Sequence, residues 1–110
     1  MCRALVVLCV ADDADTLGEL KLAAVSAEWE LAPGAVQLRA ALDQIDAERP
    51  HVLIAFGDHA ELVLLVRERF PAMRIVTDRD TPGATAVATS LDEVRSLVKG
   101  FPPPGGPIGA

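Results

Sequence analysis

The sequence predicts a doubly wound α/β domain around a parallel five-stranded sheet, and three observations carry that expectation. Short runs of Val, Ile, Leu and Ala alternate with stretches whose apolar residues recur at helical spacing, the pattern of repeated β-α units. One of those runs, Val52-Leu53-Ile54-Ala55-Phe56, is apolar without a break, as a central strand covered on both faces must be. The chain has 110 residues, 51% of them hydrophobic, yet only 4% are aromatic and Tyr is absent. The core must therefore be packed from aliphatic side chains, which suits a parallel sheet between helical layers.

The elements follow in order. Ala4 to Val10 reads as the first strand, and the first helix runs from about Asp15 to Val25 with Leu17, Leu20 and Ala24 on one buried stripe. Trp29-Glu30-Leu31-Ala32 is a short edge strand closed by Pro33-Gly34; its polar alternation fits a half-buried strand. A second helix spans Ala35 to Glu48, with Leu38, Ala41, Leu42 and Ile45 facing inward, and Pro50 ends it. After the central strand Val52 to Phe56, Gly57-Asp58 forms a turn and Asp58 caps a helix from His59 to Phe70, which Pro71 stops. That helix carries Leu62-Val63-Leu64-Leu65-Val66, so more than one of its faces should be covered.

Arg74 to Thr77 reads as the fourth strand and Ala84 to Ala88 as the fifth; Ser90 caps a last helix to Lys99 with Leu91, Val94, Leu97 and Val98 as its stripe. Only Asp78 to Gly83 joins those two strands, whereas a parallel connection ordinarily needs a dozen or more residues. Either the fourth helix is deleted or the fifth segment pairs differently. The chain is expected to be one domain over residues 1–100 followed by a Pro/Gly-rich, linker-like flexible tail over 101–110, where Pro104 and Pro107 make a P-x-x-P spacing.

The net charge of -6, from 16 acids against 10 Lys and Arg, repels phosphate backbones and anionic lipid. Nucleic-acid binding by this domain alone is not expected. No run approaches the ~18 apolar residues of a membrane span, and the segment after Ala4 runs into acids rather than a cleavage site, so the expected location is cytoplasmic. Cys2 and Cys9 form neither a disulfide framework nor a C-x-x-C pair.

Asp12-Asp13-Ala14-Asp15-Thr16-Leu17-Gly18-Glu19-Leu20 resembles the acidic loop and helix start of response-regulator receiver domains. Arg49-Pro50-His51-Val52-Leu53-Ile54 resembles the entry to their third strand, and Val66-Arg67-Glu68-Arg69-Phe70-Pro71 the end of their third helix. Gly83-Ala84 and Leu91-Asp92-Glu93-Val94 extend the likeness over most of the chain. The resemblance implies a flavodoxin-like sheet, in which the short connection from Asp78 to Gly83 would leave the fourth helix shortened or absent.

A receiver needs two acids on its first loop for Mg²⁺, an Asp on strand three to accept phosphate, a Thr or Ser after strand four and a Lys after strand five; cation and Lys neutralise the transferred charge. Asp12 and Asp13 match the acid pair, but Phe56 stands at the acceptor position, and a phenyl ring cannot take a phosphoryl group. Neither Thr77 nor Thr81 is in clean register, no Lys lies nearer the last strand than Lys99, and Ala84-Thr85-Ala86-Val87-Ala88 lacks the aromatic switch residue. The resemblance thus implies the fold, and the departures imply a non-catalytic pseudo-receiver.

A parallel sheet gathers Asp12, Asp13, Asp58, Asp78 and Asp80 at its carboxyl edge with Arg79 as the main local cation, and ligands bind at that edge in open α/β sheets. One reading is a residual Mg²⁺ or small-ligand sensor site, with Asp12, Asp13 and Asp58 as cation ligands; apart from it, no cofactor is expected. The other reading is that Asp12, Asp13 and Asp15 favour the start of the first helix while Asp78 and Asp80 shape a turn. Cys9 after strand one invites comparison with cysteine phosphatases, but the acids that follow would repel phosphate. His51 and His59 have no second ligand at metal spacing, and Trp29 serves either as core cap or, if exposed, as interface anchor. With no fourth helix, strands four and five should be left partly bare, which predicts a homodimer or a protein complex through Ile75, Val76, Val87, Leu91 and Val94.

Overall fold

The computed structural model describes residues 5–27 and 29–100. Ala4, Cys2 and the tail over 101–110 lie outside them. The elements are β1 (Leu5–Val10), α1 (Ala14–Ala24), β2 (Trp29–Leu31), α2 (Leu38–Glu48), β3 (Val52–Ala55), α3 (Ala60–Arg69), β4 (Arg74–Thr77), β5 (Ala86–Val87) and α4 (Leu91–Gly100). All neighbouring strands pair in parallel, in the order β2-β1-β3-β4-β5.

The two faces of the sheet are sorted by the period of two along each strand. Leu8, Val10, Leu53, Ala55 and Ile75 pack with Ala41 and Ile45 of α2 and Leu62, Val63 and Val66 of α3. Val7, Cys9, Val52, Ile54 and Val76 pack with Leu20 and Ala24 of α1 and Val94 and Val98 of α4. Both faces are thus buried, which is why the central strand reads as an unbroken apolar run.

Several boundaries differ from the sequence expectation, each for a local reason. α1 begins one residue earlier because the Asp13 side chain accepts from the Thr16 N–H at 2.7 Å and caps it. α2 begins three residues later: Ala35 bridges to Val10, donating to the Cys9 carbonyl, while its own carbonyl accepts from Ala11 N–H, both at 3.1 Å. The Gln44 amide holds this approach by bonding both N–H and C=O of Gly34, at 2.9 and 2.6 Å. α2 ends where Pro50 disfavours a right-handed conformation at Arg49, which turns to φ 50.

α3 starts at Ala60 with His59 as its N-cap, so Asp58 does not cap it, and it presents Leu64 to solvent while burying Leu62, Val63 and Val66. At the start of α4, Glu93 accepts from both the N–H and the hydroxyl of Thr89, at 2.6 Å each. Trp29 is buried and its indole N–H donates to the Ala24 carbonyl at 2.7 Å, tying the end of α1 to β2. The core-cap reading of Trp29 is therefore the correct one.

The connection from β4 to β5, residues 78–85, contains no helix, yet the strands remain parallel. β5 is only two residues long, so the chain needs to return only to the level of Ile75, about 7 Å back along β4. An extended loop can do that where a full-length strand would need a helix. Thr85 marks the return, donating its N–H to the Ile75 carbonyl at 2.7 Å and accepting the Ile75 N–H on its hydroxyl at 3.0 Å.

The same loop covers the face that a missing helix was expected to leave bare. Gly83, at φ +93, lies so near α3 that a Cβ there would sit 3.3 Å from Val63 Cγ1. Ile75 and Val76 are fully buried, and so is Val94 beneath α4. The expected interface through Ile75, Val76, Val87, Leu91 and Val94 is corrected accordingly: three of its residues are core, Leu91 is half-buried, and only Val87 is exposed.

Candidate functional site

The carboxyl edge of the sheet gathers the ends of β1, β3 and β4. Phe56 directly follows β3, donates its N–H to the Val10 carbonyl at 2.9 Å and is 8% exposed, its ring packed in the layer between the sheet and α1 and α4. The next residue, Gly57, has φ +110, and a Cβ there would overlap the carboxylate of Asp12. Only a glycine lets the chain after β3 pass so close beneath that acid.

Asp12 extends from the end of β1 toward the start of α3, with Oδ1 3.2 Å from Nε2 of His59. The imidazole is largely buried while the carboxylate is mostly open, and among the described residues Nε2 has no aligned hydrogen-bond partner. The contact is therefore one of charge when the imidazole is protonated.

Asp78, after β4, forms the second pair. Its Oδ1 accepts from the Gly57 N–H at 3.2 Å and from Arg79 Nε at 3.1 Å. Burial pushes this carboxyl up, but the Arg79 hydrogen bond, the Gly57 N–H and the guanidinium charge outweigh it and hold it below the usual carboxylate range. The bond to Asp78 and its charge, with smaller contributions from Asp58 and Asp12, raise the affinity of Arg79 for its proton. Arg79 is thus the cation of the edge. Its carbonyl accepts from both candidate hydroxyls, Thr77 Oγ1 at 2.6 Å and Thr81 Oγ1 at 3.1 Å.

The sequence-predicted cation ligands are not brought together. The Asp13 carboxylate turns to the start of α1, where the Thr16 N–H lowers its pKa. Asp58 and Asp80 are exposed, and no group of three or more His, Cys, Asp or Glu among the described residues could hold a metal ion. One acid of the edge, Asp78, already has a cationic partner in Arg79.

Other singled-out residues have structural places. Cys9 is fully buried in β1, and burial pushes its thiol up to about 12, against a smaller opposing effect of Lys21. A thiol so held is not a nucleophile at neutral pH. His51 extends the β1 ladder, its Nδ1 accepting from the Val6 N–H at 3.0 Å and its own N–H donating to the Val6 carbonyl at 2.8 Å. Lys99 lies in the last turn of α4, which starts at the acidic edge and ends away from it.

The pairing of His59 with Asp12 and the seat of that acid on Gly57 were missed in the sequence. The signal was present, because β1 and β3 are neighbours and Gly57-Asp58-His59 leaves β3 beside the Asp12-Asp13 exit of β1.

No family model matches the sequence, and no curated protein matches it. Solved structures do. A response regulator receiver protein from Pseudomonas putida superposes with a TM-score of 0.74 at 19% identity, covering 92% of this chain and all of that one. The chemotaxis response regulator CheY4 of Vibrio cholerae gives 0.71 at 19% identity over 88% of this chain and 98% of its own. HP1043, an orphan response regulator of H. pylori, gives 0.70 at 11% identity over 90% and 97%. This chain accordingly has the flavodoxin-like fold of response-regulator receiver domains, a five-stranded parallel sheet with four helices.

Proposed function

We propose that this chain is a pseudo-receiver, a signalling-type scaffold that binds a protein partner or a second copy of itself without being phosphorylated. The observation that carries the reading is Phe56: a buried aromatic ring stands at the end of β3, where the receiver likeness calls for the acceptor carboxylate. The rest of the edge is consistent with it. Asp12 faces His59, and Asp78 is paired with Arg79, so the charge of Asp78 is balanced from within. No lysine lies between β5 and α4, and the hydroxyls of Thr77 and Thr81 are engaged by the loop carbonyl of Arg79.

Such an edge has no use for the loss and gain of a phosphoryl group, and its conformation is fixed by side-chain pairs. Function then falls to surfaces. Net charge of -6 favours a protein partner over nucleic acid or anionic lipid, and no helix among the described residues is long and apolar enough to cross a membrane. A cytoplasmic setting fits this reading.

The test is an amide-resolved titration with Mg²⁺ and beryllofluoride, a mimic of the phosphoryl group. The reading expects Gly57, Asp78 and Thr77 to stay in place at millimolar additions. Saturable shifts at those three positions would contradict it and favour a cation- or ligand-sensing edge.

A further inference from the structure

The strand order leaves β2 at one edge of the sheet. Ala32 donates its N–H inward to the Val7 carbonyl at 2.8 Å, and alternation along the strand then turns the N–H and C=O of Leu31 the other way, off the open edge. No strand among the described residues pairs with them. An edge of this kind is a template for a further extended chain.

The side chains of β2 divide between the two faces. Trp29 and Leu31 lie on the α1 side, while Glu30 points to the opposite face and is exposed. On the α1 side, Leu22 is 74% exposed, the most of any large apolar side chain among the described residues, and Val25 is 49% exposed. With Leu31, Ala14 and Gly18 they line an open groove of about 590 Å³, a volume that takes short peptides. A strand added beside β2 would send every second side chain toward that groove.

We propose that an extended segment of a partner protein, alternating apolar and basic residues, adds to β2 as a sixth strand. Main-chain bonds to Leu31 hold it, its apolar side chains fill the groove over Leu22, Val25 and Leu31, and its basic ones stand beside Glu30. This inference rests on the scaffold reading and names the chemistry of the partner.

Charge selects this occupant. Asp15, Glu19 and Lys21 also line the groove, so its acids outnumber its one lysine, whose Nζ already donates to the Pro33 carbonyl at 2.9 Å. Asp15, Glu19 and Glu30 form no ion pair among the described residues. A basic residue across from Glu30 makes the opposite-charge pair that stabilises neighbouring strands. A second copy, antiparallel with Leu31 opposite its own counterpart, would set Glu30 across from Ala32 and give it no cation. It would also bring two further acids against one lysine to the groove.

The test is an amide-resolved titration of the full chain with two acetylated peptides of about nine residues, one alternating Val and Lys and the other Val and Glu. Saturable shifts at Gly18, Leu22, Val25 and Leu31 are expected with the first peptide and not the second, and exchange of the Leu31 N–H should slow on binding. Leu22→Glu, at an exposed site, should weaken binding by at least about tenfold. Leu31→Pro, which takes away the outward donor without breaking the ladder to β1, should abolish it. Glu30→Lys should weaken the Val/Lys peptide by about threefold and strengthen the Val/Glu one. Equal shifts with both peptides, shifts without slowed exchange at Leu31, or no shifts overturn the proposal. Concentration-dependent shifts of the same amides without peptide also overturn it and assign the edge to a second copy. The beryllofluoride titration reads Gly57, Thr77 and Asp78, so the scaffold reading and this inference fail at different positions.

Discussion

His59 and Asp12 join the ends of two adjacent strands, the imidazole Nε2 standing 3.2 Å from Asp12 Oδ1 where the chain leaves β1 and enters α3. The same carboxylate rests on Gly57, at φ +110, so one acid fixes two features of the edge.

Gly57→Ala should therefore destabilise the fold by about 1–3 kcal/mol, from a left-handed backbone and a clash together. Asp12→Ala removes the clash and leaves the backbone cost. In a double-mutant cycle read by urea unfolding, the pair should cost less than the sum of the single changes. Strict additivity would show that the acid does not sit on the glycine.

Asp78→Asn should cost about 1 kcal/mol by weakening the bonds to Gly57 N–H and Arg79. It should also flatten the acid limb of stability. The Asp78 carboxyl is held below its ordinary value, so the stability it contributes is present above the ordinary carboxylate pKa and is lost as pH falls through the lowered one. Melting curves of both proteins from neutral to acid pH read the difference, which should shrink as the medium becomes acidic.

The order of elements and the parallel sheet were legible because apolar runs, Pro50 and Pro71 punctuate the chain, and the short connection from Asp78 to Gly83 left a deleted helix as one of two readings. What was not legible depends on tertiary distance. Ala35 has good helix propensity but pairs with Val10 across the sheet. The bareness expected at Ile75 and Val76 overlooked what each face already has: Ile75 packs with Val63 of α3, against which the Gly83 loop lies, and Val76 packs with Val94 and Val98 of α4. At the site, the residue types were visible; the direction of each carboxylate, Asp12 to His59 and Asp13 to Thr16, was not.

Val94→Glu should unfold or severely destabilise the domain, by more than about 3 kcal/mol, because it places a carboxylate in a fully buried site. Leu64→Gln, at an exposed position on α3, should stay within about 0.5 kcal/mol. Denaturant midpoints of the two variants decide whether Val94 is core or surface.

Cys9 should resist iodoacetamide in the native state and react once urea is added. Its thiol is raised from 9.0 to about 12 by burial. The unfolded chain releases that proton first, so stability attributable to Cys9 is whole below about pH 9 and declines toward pH 12. Cys9→Ala should lose this part of the alkaline slope, as measured by unfolding across that range.

The most direct measurement is intact-mass analysis after incubation with acetyl phosphate and Mg²⁺, with acid and hydroxylamine treatment to detect an acyl phosphate. With Phe56 at the end of β3, the mass should remain that of the unmodified chain at all times. A single hydroxylamine-labile phosphoryl increment on an aspartate of the carboxyl edge would contradict the account.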